Sequence, residues 1–194
     1  MGLSPSRVAA ATGPVLETAR LRLRPTLRED FDAWADFAAD AEVMRFLGGP
    51  QPRPVAWRAF VSMAGSWAVY GFGMFSVLEK SSGRWLGRVG PWRPDGWPGN
   101  EVGWGLVRDA QGRGIAYEAA VAAMDWAFES LGWEAVIHCV GKANLKSVAL
   151  AERLGSTAAG VAVLPPPSGV ETEVYSQTRD AWRARSAQRR DLPR

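Results

Sequence analysis

Cysteine and histidine are almost missing from this chain of 194 residues, which has one of each, Cys139 and His138. One cysteine has no partner for an intramolecular disulfide, and the pair falls short of the four ligands that structural zinc usually takes. Neither a redox staple nor a metal is expected. Long apolar runs are lacking too. Gly, Arg or Asp interrupts each one before the ~18 to 20 residues of a membrane span, and no charged-then-apolar leader opens the chain. The expectation is a cytoplasmic protein. Two phosphate motifs are also absent: no G-x-x-x-x-G-K-[ST], and no G-x-G-x-x-G opening a first strand with an acid about 20 residues on. ATP and dinucleotide chemistry lose weight accordingly, and no internal repeat divides the sequence.

What is present suits one domain, because 47% hydrophobic content in a chain of this length allows roughly two-thirds of the unfolded surface to be buried. Residues 1 to 14 mix Gly, Ser, Pro, Ala and Thr without a period and read as a disordered leader. Residues 15 to 178 read as the domain and 179 to 194 as a basic tail. That tail holds six arginines against Asp180 and Asp191, more than the whole net charge of +3. It is either a solvated end or a nucleic-acid contact, the latter losing affinity steeply with salt. Ten tryptophans stand out. Those at 85, 92, 97 and 104, with Trp34, Phe46, Trp67 and Phe72, either wall a substrate cleft or pack the core.

Periodicity sets out the elements. Leu16 to Pro25 (LETARLRLRP) ends in strict alternation, a half-buried strand. Thr26 precedes LREDFDAWADFAAD, apolar at helical spacing with acids in its first turn, and a second helix runs from Val55 to Tyr70 after a proline break. These two form a lid-like pair. Phe72 to Glu79 and Trp85 to Trp92 make a hairpin across SSGR. In Glu101 to Val107, Val102, Trp104 and Leu106 face one way, while Gly103 and Gly105 leave the other side bare. A helix over Ala116 to Leu131, a strand over Ala135 to Val140, a helix over Ser147 to Leu154 and a strand near Val170 to Thr178 complete an α/β domain with a mixed sheet. Apolar edge residues on the last strands offer a place for a homodimer across a two-fold axis.

The segment Gln111-Gly112-Arg113-Gly114-Ile115-Ala116 lies between a strand and a long helix. Its glycines permit a tight turn with exposed amides, and the helix N-terminus adds a positive dipole end, a combination that suits a pyrophosphate. Arg113 would add a charge contact. Gly in such a loop also serves geometry alone.

In order and spacing, EVGWGLV, QGRGIAYEA, a strand, and then N-x-x-S-x-x-L-x-E-x-L-G resemble the GNAT N-acetyltransferases over nearly the whole ordered chain. LETARLRLRP, LGRVG and the Glu-led strand resemble most the Rim-type branch, which acetylates ribosomal-protein N-termini. The resemblance implies a mostly antiparallel sheet whose fourth and fifth strands splay apart, with acetyl-CoA as co-substrate between them. Pantetheine would run along Gly103, Gly105, Leu106 and Val107, pyrophosphate would sit on Gln111, Gly112, Arg113, Gly114, Ile115 and Ala116, and Asn144 and Ser147 would approach the cofactor. An amine would then attack the thioester directly.

For that reaction Glu101 is the candidate base, since the attacking amine must shed a proton; an exposed strand-end carboxylate is the plainer reading. Glu118 and Glu134 are weaker candidates. Many members of the family carry a Tyr as acid where this chain has Ala151. Ser147 then becomes the candidate acid for the leaving thiolate, or merely a helix cap. His138, mid-strand, reads as packed and neutral, and Cys139 would need a stabilised thiolate to take up an acyl group. The missing Tyr keeps a second reading open, a non-catalytic acyl-CoA sensor or interaction module.

Overall fold

A sheet buried on both faces at its centre organises a computed structural model that describes residues 13–166 and 168–190. The strands are β1 (Leu16–Glu17), β2 (Leu21–Pro25), β3 (Phe75–Glu79), β4 (Trp85–Trp92), β5 (Glu101–Leu106), β6 (Ala135–Val140), β7 (Thr157–Val163) and β8 (Glu171–Thr178). They form one eight-stranded sheet in the order β1-β2-β3-β4-β5-β6-β8-β7. Every neighbouring pair is antiparallel except β5 and β6. The helices are α1 (Phe31–Ala39), α2 (Ala41–Met44), α3 (Arg53–Tyr70), α4 (Ile115–Glu129), α5 (Leu145–Leu154) and α6 (Arg179–Arg190). Among the described residues no helix is long and apolar enough to cross a membrane.

The largest core cluster joins the sheet to α4. Ala119, Ala120, Ala123 and Ala127 of α4 are all fully buried, and with only methyl groups between them the helix axis lies close to the strands. A second cluster, with Phe31, Trp34, Phe37, Phe60, Met63 and Met74, seats α1 and α3. The expected helical pair is there, but its start differs. Thr26 is buried with its hydroxyl unpartnered among the described residues, so it caps nothing. Asp30 instead closes the short 3-10 turn Arg28–Asp30 that precedes the helix, accepting from Leu27 N–H at 2.9 Å, Ser76 Oγ at 2.7 Å and Arg24 at 2.8 Å, and the helix begins only after it.

Three further expectations are corrected. Leu16–Pro25 is two paired strands, because Thr18 Oγ1 accepts the Leu21 amide at 3.0 Å and turns the chain back. β7 was not anticipated: TAAGVAV is an edge strand, with Val161 at 68% and Val163 at 65% exposure, so burial imposes no alternation on it. The supposed tail from 179 is helix α6, and Trp182 inside it is 1% exposed with Nε1 donating to Asp125 Oδ1 at 2.7 Å. Two of its arginines pair within the chain, Arg179 with Glu134 and Arg183 with Glu129. The packed unit therefore continues past residue 178. The leader expected over 1 to 14 falls, up to residue 12, outside the described residues, while a Cβ on Gly13 would come within 2.6 Å of the Trp67 ring.

Trp182→Ala is expected to destabilise the fold by about 3–5 kcal/mol in urea unfolding. A loss below about 1 kcal/mol would show that α6 is not part of the core.

Candidate active site

The turn after β5 is built from both sides. Gly112 and Gly114 have φ of 74° and 77°, left-handed values that a side chain adopts only with strain, and Gly114 serves as N-cap of α4. Fully buried Ile115 pins the helix start. Among the described residues the amides of Gly112, Arg113, Gly114, Ile115 and Ala116 meet no acceptor. Unpaired donors at a helix N-terminus fit an anion such as a pyrophosphate. Gln111 Nε2 ties the turn to β5 by donating to Leu106 O at 3.1 Å. The Arg113 guanidinium is committed elsewhere, to Glu79 at 2.8 Å. It is the Arg113 carbonyl that is gripped, by Arg20 Nη1 at 3.0 Å, while Arg20 Nε holds Glu118 Oε2 at 2.7 Å and Thr18 Oγ1 holds Glu118 Oε1 at 2.6 Å. Burial favours the protonated Glu118, but these partners outweigh it and its pKa is lowered. Glu118 is thus a strut of the turn rather than a free base, and Arg20 is a contributor that sequence reasoning missed.

Beside the turn, β5 and β6 come together and part. Glu101 stands opposite Ile137, whose N–H donates to Asn100 O at 2.8 Å. One step further a regular parallel ladder would join Cys139 N–H to Val102 O. Here each group takes a side-chain partner instead. Cys139 N–H donates to Glu101 Oε1 at 3.1 Å, and His138 Nδ1 binds Val102 O at 2.7 Å. The strands splay from that point. His138 is 1% exposed, its Nε2 lies 3.0 Å from Ser156 Oγ, and burial pushes its pKa down to about 4, so it is neutral.

Glu101 is not the exposed strand end that its position suggests. It is 6% exposed, with Oε2 accepting from Trp97 Nε1 at 2.6 Å. Burial pushes its carboxyl up to about 7, against the Cys139 amide, the Trp97 indole and the charge of Arg88, all of which lower it. A carboxyl poised near neutrality can exchange protons at working pH. Burial and the Glu101 charge push the neighbouring Cys139 thiol upward, the wrong direction for a nucleophilic thiolate.

On the other arm of the split, Ser147 Oγ accepts from Trp104 Nε1 at 3.1 Å, which fastens α5 to β5. Asn144 Oδ1 accepts the Ser147 amide at 3.3 Å and so caps α5; Ser147 itself is not the cap. The aromatic residues sort into two groups. Trp34 and Trp67 are core, whereas Trp97 holds Glu101 and Trp92 stands opposite it across the strands. Trp92 also borders a groove of about 340 Å³ with Ser62, Ser66, Val69 and Asp95. Phe46 reaches within 3.8 Å of where a Cβ on Gly141 would sit.

Residues 20–157 match the Acetyltransferase (GNAT) domain. The chain belongs to the GNAT acetyltransferase family. An acetyltransferase from Agrobacterium tumefaciens str. C58 is 36% identical, covers 86% of this chain and 95% of its own, and superposes with a TM-score of 0.77. A GnaT-family acetyltransferase from Bordetella pertussis is 28% identical over 85% of this chain and 99% of its own, with a TM-score of 0.71. At 19% identity, a ribosomal-protein-serine acetyltransferase from Vibrio cholerae shares the fold over 84% of this chain and 97% of its own, with a TM-score of 0.70. Like other GNAT members this chain is an acyltransferase, and membership implies acetyl-CoA as the acetyl donor.

The raised Glu101 pKa makes stability depend on pH with a definite sign. The folded state keeps a proton that the unfolded chain releases near pH 4.5, so stability from the protonated form is lost as pH rises through about 7. Between pH 5 and pH 8 Glu101→Gln, which cannot titrate, should gain about 2 to 3 kcal/mol on the wild type in urea unfolding. Parallel pH profiles would mean that the carboxyl is not shifted.

Proposed function

We propose that this enzyme moves the acetyl group of acetyl-CoA to a primary amine by direct attack, with Glu101 as the base and Ser147 as the acid. The observation that carries this reading is Glu101, a buried carboxyl near pKa 7 at the apex of the β5–β6 split. Its lone pairs can take the proton of an incoming ammonium, directly or through water, and leave a neutral amine to attack. The amides of Gly112 to Ala116 would hold the pyrophosphate, with Gln111 bracing the turn, and Gly103, Gly105, Leu106 and Val107 would flank the pantetheine. Asn144 sets the start of α5, so that Ser147, already bonded to Trp104, can donate to the leaving thiolate. Fixed geometry in the split supplies much of the acceleration, and backbone N–H of β5 polarises the thioester carbonyl.

The acceptor is a small amine or a protein N-terminus. The Rim-like motifs support the second, and the Vibrio cholerae enzyme named for a ribosomal protein shares this fold. The groove bordered by Trp92 supports an apolar or flat group beside the amine. The exposed β7 edge supports pairing with a second copy of the chain.

Thiol release from acetyl-CoA, run with one acceptor throughout so that its own ionisation is common to all variants, tests the assignment. The wild-type kcat/KM should rise with pH with a midpoint near 7. Glu101→Gln should lose roughly 10²-fold or more together with that inflection. Ser147→Ala should lower kcat about tenfold or more, with CoA still raising the melting temperature. Stabilisation by CoA with no turnover across a broad panel of amines would instead establish a binding module.

A further inference from the structure

Arg88 stands in the run LGRVG and, on β4, lies opposite Gly105. It shares a sheet face with Gly103 and Glu101, because directly opposed residues of neighbouring strands point the same way. Its guanidinium lies 5.6 Å from the Trp34 ring and 6.0 Å from the Phe37 ring. One terminal nitrogen is directed at the Met74 sulfur, and Nε is buried with no partner. Among the described residues, no carboxylate lies within ion-pairing distance of it. The residue as a whole is half-buried, but a thioether is a poor acceptor, and a guanidinium nitrogen kept from water without a partner is costly. Burial brings Arg88 down to about 10, with the charge of Glu101 opposing the fall. The two groups sense each other but do not touch.

What separates them is slight. The cross-strand pair between their rows is Gly90 opposite Gly103, which has no side chains. The Met74 methyl occupies that space, 2.7 Å from where a Cβ on Gly103 would be, and that same point is 3.3 Å from Glu101 Oε1. Methionine is unbranched and flexible, a filler that yields easily to a better-bonded occupant. β4 is the neighbour of β5, so Arg88 and Glu101 face the same space on one side of the sheet.

We propose that Arg88 binds a carboxylate of the acceptor while the acceptor's amine lies at Glu101, which makes the substrate an amino-acid-type molecule carrying both groups. The inference rests on the reading of Glu101 as the base of the transfer. A planar guanidinium with an unused Nε matches a carboxylate in a bidentate pair, and Met74 swings aside to admit it. The free acid satisfies Arg88, whereas the corresponding amide or plain amine leaves it unpaired.

The test is thiol release from acetyl-CoA with the twenty amino acids, each matched by its α-amide and by the amine lacking the carboxyl. At least one free acid should be used about tenfold to a hundredfold better than its amide in kcat/KM, and Arg88→Met should bring that ratio close to one. Equal use of acid and amide, turnover confined to peptides or plain amines, or discrimination that survives in Arg88→Met would each overturn the proposal. If CoA stabilises the protein but no amine is acetylated, the catalytic reading has failed, and melting temperatures judge Arg88 separately. Arg88→Met should then melt roughly 2 to 6 °C above wild type, as expected when a half-buried cation with no carboxylate partner is replaced by an apolar chain. The best-binding free amino acid, added with CoA, should stabilise the wild type only. A melting temperature below wild type would make Arg88 a structural group and refute the carboxylate site.

Discussion

One missing backbone hydrogen bond governs this structure. Between β5 and β6 the bond that would join Cys139 N–H to Val102 O is replaced by two side-chain bonds, from Cys139 N–H to Glu101 and from His138 to Val102 O. An open split in a sheet normally strands polar groups away from water, at a penalty of about 1–3 kcal/mol for each buried one. Here the penalty is cancelled at the apex. The split can exist because Glu101 and His138 stand where they do. The same substitution draws Glu101 into the interior, and that burial is what lifts its carboxyl toward neutrality. The opening and the chemistry it offers thus have a common origin.

The rest of the architecture holds this wedge in shape. The alanine face of α4 lets the helix lie close on the sheet and aims its N-terminus at the end of β5. Arg20, reaching from the turn between β1 and β2, clamps the glycine turn through the Arg113 carbonyl. On the opposite arm, Trp104 of β5 packs 4.9 Å from His138 of β6 and donates to Ser147 of α5, so one side chain touches all three elements. Each of these contacts joins segments distant in the chain, and each fixes one wall of the split.

What could be read in the sequence follows from this. The place of Glu101 at the head of a strand and the glycine turn before α4 were legible, because strand runs and glycine placement are local patterns; the start of α5 was read at Ser147 and lies two residues earlier, capped by Asn144. β7 was not, since TAAGVAV is exposed on both faces and has no period to detect. α6 was missed because one tryptophan among arginines looks like a solvated end, and only the fold brings Asp125 to meet Trp182. Arg20 and Arg88 were visible only as the polar half of strand-like runs. Their partners lie far along the chain or, for Arg88, are not carboxylates at all, and no spacing rule encodes that. The burial of Glu101 belongs to the same class, because it depends on Trp97 folding back from a loop.

The strength of the clasp at the apex depends on a proton. An ionised Glu101 accepts two hydrogen bonds, from the Cys139 amide and the Trp97 indole. With its proton on, the carboxyl is a weaker acceptor and gains a donor that must be directed somewhere. Since its pKa is about 7, both forms are abundant at neutral pH. Ionisation therefore strengthens the hold of Glu101 on the Cys139 amide and the Trp97 indole, and protonation weakens it. The contact that closes the apex of the split is thus the same one that carries the titrating proton.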